Sequence, residues 1–229
     1  MATVPATVSW RLPGFAPVLA IACGALYVLR GKADWAALAW LAGFVASSLI
    51  RARRTPGWRD NRIDDRRDVG EERILLALAF LGMMALPLLW LATPLLDWAA
   101  RPRSAAAAWL GVALLPPYLW LFHRSHADLG RNWSPTLELR DSHRLVTAGV
   151  YARIRHPMYA AIWLGTLAQM LLLPNYVVGP AGALAFAIMY ARRVPHEEAM
   201  MRARFGDAYD RYTARTGRLL PRFCAAPDR

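Results

Sequence analysis

Apolar residues gather into six runs, Phe15 to Leu29, Trp35 to Ile50, Ile74 to Leu96, Ala105 to Phe122, Tyr159 to Leu173 and Tyr176 to Tyr190, with polar stretches between them. Several fall short of the roughly 20 residues that cross a bilayer squarely as a helix. The third reaches that length only by passing through Pro87 and Pro94, and the last two are parted by Pro174 and Asn175 alone. The pattern predicts an all-α, polytopic membrane helix bundle of about six spans, the last two forming a tight helical hairpin.

Charge orients this bundle. The chain has 229 residues, 56% of them hydrophobic, yet carries a formal net charge of +12, so apolar and basic residues are segregated along it. Basic residues collect on the cytoplasmic side of multispanning proteins. Six spans with a cytoplasmic N-terminus put 24 of the 28 lysines and arginines on that side, leaving Arg30, Lys32, Arg101 and Arg103 outside. Both termini are therefore expected in the cytoplasm. Arg11 before the first run reads as a signal anchor rather than a cleaved leader, because five more runs follow. Two cysteines, Cys23 in a span and Cys224 in the tail, are too few for a disulfide framework, and the ending CAAPDR places Cys224 sixth from the end, wrong for prenylation. One lysine against 27 arginines, with abundant alanine, hints at a GC-rich bacterial genome and so at the inner membrane.

Residues 1–122 carry few ionisable groups within their runs and read as a four-span scaffold. The loop RARRTPGWRDNRIDDRRDVGEER, residues 51–73, mixes eight basic with six acidic residues and reads as a solvated connector. Chemistry is expected in residues 123–229, where all five histidines lie in two polar blocks that bracket the hairpin. No Walker motif, GxGxxG or GxSxG elbow occurs, and nothing points to nucleic acid. His123 and His126, three apart, could share a helix face and ligate a metal or haem, but no Cys or carboxylate stands at a matching spacing, so they read as interfacial histidines.

Two junctions stand out. In YARIRHPMY, residues 151–159, Pro157 should open a helix and leave His156 just outside it, with backbone amides turned to an anion and Arg153 and Arg155 nearby. Arginines there could equally snorkel to headgroups. In ARRVPHEEAM, residues 191–200, Pro195 is expected to start another helix, with Arg193 on the preceding junction and Glu197 and Glu198 in its first turn. One junction offers cations and donors, the other carboxylates, and together they could hold a zwitterion by both ends.

HRLVTAGVYARIRHPMY at residues 143–159, then R-x3-EE, then FGDAYDRYTARTGRLLP ending at Pro221, closely resembles the membrane methyltransferases typified by isoprenylcysteine carboxyl methyltransferase, a wider group that includes phospholipid methyltransferases. The resemblance covers about a third of the chain. It implies the cofactor S-adenosyl-L-methionine in a cytoplasmic pocket lined by His143, Val146, Tyr151, His156 and Tyr159. Glu197 would take the cofactor's amino group, and His156 with the Pro157 helix start its carboxylate. It makes Arg193 the catalytic residue, beside the methyl acceptor, and implies no metal. Lacking an evident base beside Arg193, the site suits a carboxylate or thiol better than an amine. The acceptor would be lipidic or small and hydrophobic, entering from the bilayer. Two other classes fit parts of the pattern: an NADPH-dependent sterol-type membrane reductase, and a haem-binding or sensory membrane protein using the clustered histidines.

Overall fold

A computed structural model of the chain describes residues 15–54, 63–66, 69–130, 138–140 and 145–222. Eight helices account for most of them: α1 (Phe15–Leu29), α2 (Trp35–Arg54), α3 (Val69–Phe80), α4 (Leu86–Ala92), α5 (Ala105–Leu129), α6 (Pro157–Leu172), α7 (Val178–Phe205) and α8 (Asp207–Arg215). Two short strands, β1 (Ile63–Arg66) and β2 (Glu138–Arg140), pair antiparallel with Ile63 opposite Arg140. Apart from these two short strands the described regular structure is helical, in keeping with the expected helix bundle.

Among the described residues, three helical stretches are long and apolar enough to cross a membrane, 35–53, 70–92 and 105–129, while α1 and α6 are shorter apolar helices. The stretch 70–92 is α3 and α4 in one rod, joined by a π-helical turn at Leu81–Ala85. Pro87 lacks an amide hydrogen and its ring crowds the carbonyl four residues back, and the wider turn just before it absorbs both faults. Helix α5 also carries prolines, Pro116 and Pro117, and runs unbroken past residue 122 to Leu129. The change in residue character there is not a change of element.

Pro195 does not start a helix. It lies inside α7. The lost amide is tolerated because both flanks are anchored by packing, with Val194 and Met200 buried, and His196 Nδ1 lies 2.7 Å from the Arg192 carbonyl oxygen beside the break. Glu197 and Glu198 therefore stand in mid-helix, and dipole compensation cannot explain them.

One end of the bundle is a knot of three turns. Arg30 Nη2 and Lys32 Nζ both reach Asp97 Oδ2, at 2.7 and 2.6 Å, and Arg30 Nη1 also donates to the carbonyls of Trp90 and Leu91. Arg103 pairs with Asp34 at 2.8 Å, and Arg101 donates to Met170 O at the end of α6. Asn175 donates to Leu96 O and accepts from the amides of Val177 and Val178, capping α7. All four basic residues expected on the outer side are thus engaged at one end.

Between the ends, α6 and α7 lie antiparallel with α3 beside them. Buried Gln169 of α6 donates through Nε2 to Gly82 O and Val178 O, both at 2.9 Å, joining three segments through one amide. An ideal Cβ on Gly82 would stand 2.5 Å from Ala181 O, so only glycine lets α7 approach the π-helical turn this closely. Tyr159, Phe186, Met189 and Val194 continue this packing to the opposite end, where the sequence motifs converge.

Candidate functional site

His156 occupies the N-cap of α6 with φ −123° and ψ 59°, and Pro157 takes the first helical position, as the junction predicts. The preceding residues are tied to the segment that follows α8. The Arg155 amide donates to Gly217 O at 2.8 Å and the His156 amide to Arg218 O at 3.1 Å, while Gly217 returns a bond to Arg153 O at 3.0 Å. A chain segment 60 residues downstream therefore fixes the entry to α6.

Glu198 is the hub of this end. Its Oε1 accepts from Arg155 Nε at 2.9 Å, His156 Nε2 at 3.0 Å and Arg218 Nε at 3.0 Å, and its Oε2 from Arg218 Nη2 at 2.7 Å. Burial pulls its pKa up, but the hydrogen bonds from His156, Arg218 and Arg155 outweigh it and hold the carboxyl well below the usual carboxylate range. Arg155 also donates through Nη1 to Thr216 O at 2.8 Å.

One residue earlier on α7, half-buried Glu197 accepts from the Tyr159 hydroxyl at 2.8 Å. One turn before that, buried Arg193 places Nη2 at 3.7 Å from Oε1 of Glu72, itself buried in the first turn of α3. Tyr159 is within electrostatic reach of Arg193, Glu197 and Glu72 together. Rings of Tyr159, Trp163, Phe186 and Tyr190 stack edgewise and tilted behind this group, with centroids 5.1 to 6.3 Å apart.

Tyr151 lies in the 3-10 turn Gly149–Ala152, buried, its hydroxyl 3.4 Å from Ser125 O and its carbonyl accepting from the Tyr212 hydroxyl at 2.8 Å. That turn is hung on α5 by Asp128, whose Oδ2 accepts the Val150 amide at 2.9 Å. Gly149 has φ +61°, and a Cβ there would run into the Asp128 carboxylate, so the glycine of the motif answers two demands at once.

The structure brings Tyr151, His156, Tyr159, Arg193 and Glu197 to one end of the bundle. Val146 sits half-buried in the coil before the 3-10 turn, and His143 lies outside the described residues. Four participants escaped the sequence reading. Glu198 was visible only as half of an acidic pair, and Arg218 and Asp128 had no marked spacing. Glu72 was hidden in the 51–73 connector, whose end is not bland: Glu71 pairs with Arg192 at 2.6 Å and Glu72 with Arg193. Among the described residues no group of three or more His, Cys, Asp or Glu is placed to hold a metal.

The profile of the isoprenylcysteine carboxyl methyltransferase (ICMT) family matches residues 113–203, from mid-α5 to the end of the carboxylate pair's helix. Protein-S-isoprenylcysteine O-methyltransferase B of Arabidopsis thaliana is 34% identical over 92 residues, 38% of this chain and 45% of that protein. The corresponding enzyme of Schizosaccharomyces pombe is 37% identical over 70 residues, covering 31% and 30%. Cobalt-zinc-cadmium resistance protein CzcN of Cupriavidus metallidurans is 32% identical over 115 residues, covering 50% and 52%. The matched segments span about a third to a half of these relatives. A solved structure of the eukaryotic intramembrane Ras methyltransferase ICMT superposes with a TM-score of 0.56, 19% identity, and coverage of 90% of this chain and 74% of that one, which establishes a common fold. That fold is a membrane helical bundle, and the segment that builds the site, residues 113–203, is similar to the ICMT family.

Proposed function

We propose that the protein is an integral-membrane methyltransferase that uses S-adenosyl-L-methionine to methylate a carboxylate or thiol of a lipidic or small hydrophobic acceptor arriving from the bilayer. The observation that carries the reading is the unequal treatment of two adjacent carboxylates. Glu198 is saturated by three basic side chains, whereas Glu197, half-buried, accepts from one neutral hydroxyl, that of Tyr159. Glu197 is thus suited to a cation, and the donor set fits the cofactor: a carboxylate for its amino group, arginines at the α6 entry for its carboxylate, and tyrosines for its apolar faces.

When bound, the cofactor supplies a methyl carbon already activated on a sulfonium. This chain's residues then have to bind, orient and exclude water. Glu197 and Tyr159 hold the cationic end. His156, its Nε2 engaged by Glu198, lines the pocket as a ring of fixed orientation, and Arg155 and Arg218 supply positive charge at the anionic end. Val146 and Tyr151 line the same pocket, with His143 a further contact on the sequence motif. Arg193 sits beside the reacting centre and draws an anionic acceptor into line, and the Trp163, Phe186 and Tyr190 rings keep water from it.

The three-turn knot would face outward, with every basic residue there engaged, and the site end would face the cytoplasm, where exposed Arg211 and Arg215 and most of the remaining basic residues lie. Six crossings, the last pair a hairpin, follow from that orientation.

Calorimetric titration of the purified full chain with S-adenosylhomocysteine tests the cofactor, and incubation of membranes with methyl-labelled cofactor and a lipid extract identifies the product by mass spectrometry. Binding is expected in the wild type and absent in Glu197→Ala. Undiminished affinity in that variant would refute the pocket.

A further inference from the structure

We propose that the turn at residues 217–222 is a membrane-docking element: Leu220 enters the leaflet on the site's side, Arg153 and Arg222 meet anionic phospholipid headgroups beside it, and this seating steadies the entry to the cofactor pocket. The inference rests on the orientation and the pocket proposed above. It concerns a segment that lies beyond the family-matched residues 113–203.

Both ends of the turn are tied to one atom. The amides of Gly217 and Arg222 donate to Arg153 O, at 3.0 and 3.2 Å, so the segment closes into a loop standing on the junction before α6. Its apolar tip divides in two directions. Leu219 packs inward against two buried clusters, one containing Tyr159 and Val194, the other Phe122, Ala160 and Ala161. Leu220 turns out and is 78% exposed. Depth decides what it meets. The 16 residues of α6 rise about 24 Å, less than the roughly 30 Å of a bilayer's apolar layer, which leaves its first turns at or inside the edge of that layer. A tip packed on Ala160 and Ala161 shares that depth, and an outward leucine there faces acyl chains.

The base of the turn is basic. Arg153 and Arg222 are exposed, and exposed Arg215 ends α8 just before them. Arg222 engages Ala214 O through Nη1, whereas Arg218 is held by Glu198. Residues 201–222 carry six arginines against two acids, and one of these, Asp210, pairs with Arg202. An apolar tip between arginine shoulders is complementary to a leaflet with anionic headgroups, which attract basic side chains at the surface while the leucine is buried below them. The same turn reaches the pocket through its backbone. Gly217 O and Arg218 O accept the amides of Arg155 and His156, and Thr216 O accepts Arg155 Nη1. Releasing the tip from lipid therefore loosens the segment that presents His156.

The test uses the full chain in nanodiscs of phosphatidylcholine, alone or with one-third phosphatidylglycerol. A spin label is placed by Leu220→Cys in a Cys224→Ser background, in which the remaining Cys23 is buried. Power-saturation electron paramagnetic resonance in the anionic discs is expected to find the label more accessible to oxygen than to a water-soluble nickel chelate. The reverse order puts the tip in water and overturns the inference whatever the protein catalyses. Titration calorimetry then compares S-adenosylhomocysteine affinity in the two discs. This ligand has no net charge, so surface potential does not concentrate it, and at least about threefold tighter binding in the anionic discs is expected of the wild type. Arg222→Gln should abolish that difference and Arg222→Lys restore it, whereas a purely structural Arg222 would shift both compositions alike. Equal wild-type affinity in the two discs overturns the inference, a measurement that needs no variant to fold. Absence of S-adenosylhomocysteine binding in both discs, with the label in the apolar layer, instead sinks the cofactor reading on which the coupling rests.

Discussion

Replacing Glu198 by alanine should break the site without touching its lining. The Glu198 side chain is 12% exposed, and its carboxylate is the shared acceptor for Arg155, His156 and Arg218, whose side chains are 15%, 7% and 49% exposed. Removing one partner of a buried ion pair costs about 3–5 kcal/mol, because the remaining charge is left without compensation. Here His156 is buried, Arg155 is half-buried and Arg218 can turn to solvent, so the expected cost is about 2–4 kcal/mol. It should fall first on the backbone ladder between residues 153–156 and 217–222, which the same arginines brace from the side. Hydrogen exchange followed by mass spectrometry reads that ladder directly: faster exchange at the Arg155, His156 and Gly217 amides is expected in the variant. The pH dependence fixes the sign. The folded carboxyl lies below its ordinary value of 4.5, so its contribution is fully present above that value and is lost as pH falls through the folded one. The difference in thermal midpoint between wild type and Glu198→Ala should therefore be widest at neutral pH and narrow below about pH 4. A variant that keeps wild-type exchange in the ladder, or a gap that grows on acidification, would refute the hub.

Three further changes have defined outcomes. Arg193→Ala should leave S-adenosylhomocysteine affinity within about twofold while turnover falls by about 100-fold or more, seen by pairing calorimetry with the labelled-methyl assay. Gly149→Ala should lower stability by about 1–2 kcal/mol from its positive φ, with a further penalty against Asp128 that Gly149→Ala/Asp128→Ala relieves in part; thermal melts of the two variants make the comparison. Gln169→Leu should destabilise the α3–α6–α7 contact by about 1 kcal/mol, since two carbonyls lose their donor inside the bundle, and it should leave acceptor affinity unchanged.

The sequence motifs could announce the α6 junction because its determinants are local. Pro157 opens the helix by its own ring and pushes His156 out by its own bulk, and neither effect needs a partner. The same rule failed at Pro195, although the proline ring makes the same steric demand, because there α7 is held from both sides by neighbours the local sequence does not contain. Glu72 shows the limit most sharply. In the connector it is one of six acids among eight arginines, with nothing in its spacing to set it apart. Only when α3 packs on α7 does it meet Arg193, 121 positions away. A local motif can specify where a cofactor's charges would be met, since those groups lie within a turn or two of a helix start. Family likeness covers residues 113–203, the stretch that holds both of those junctions.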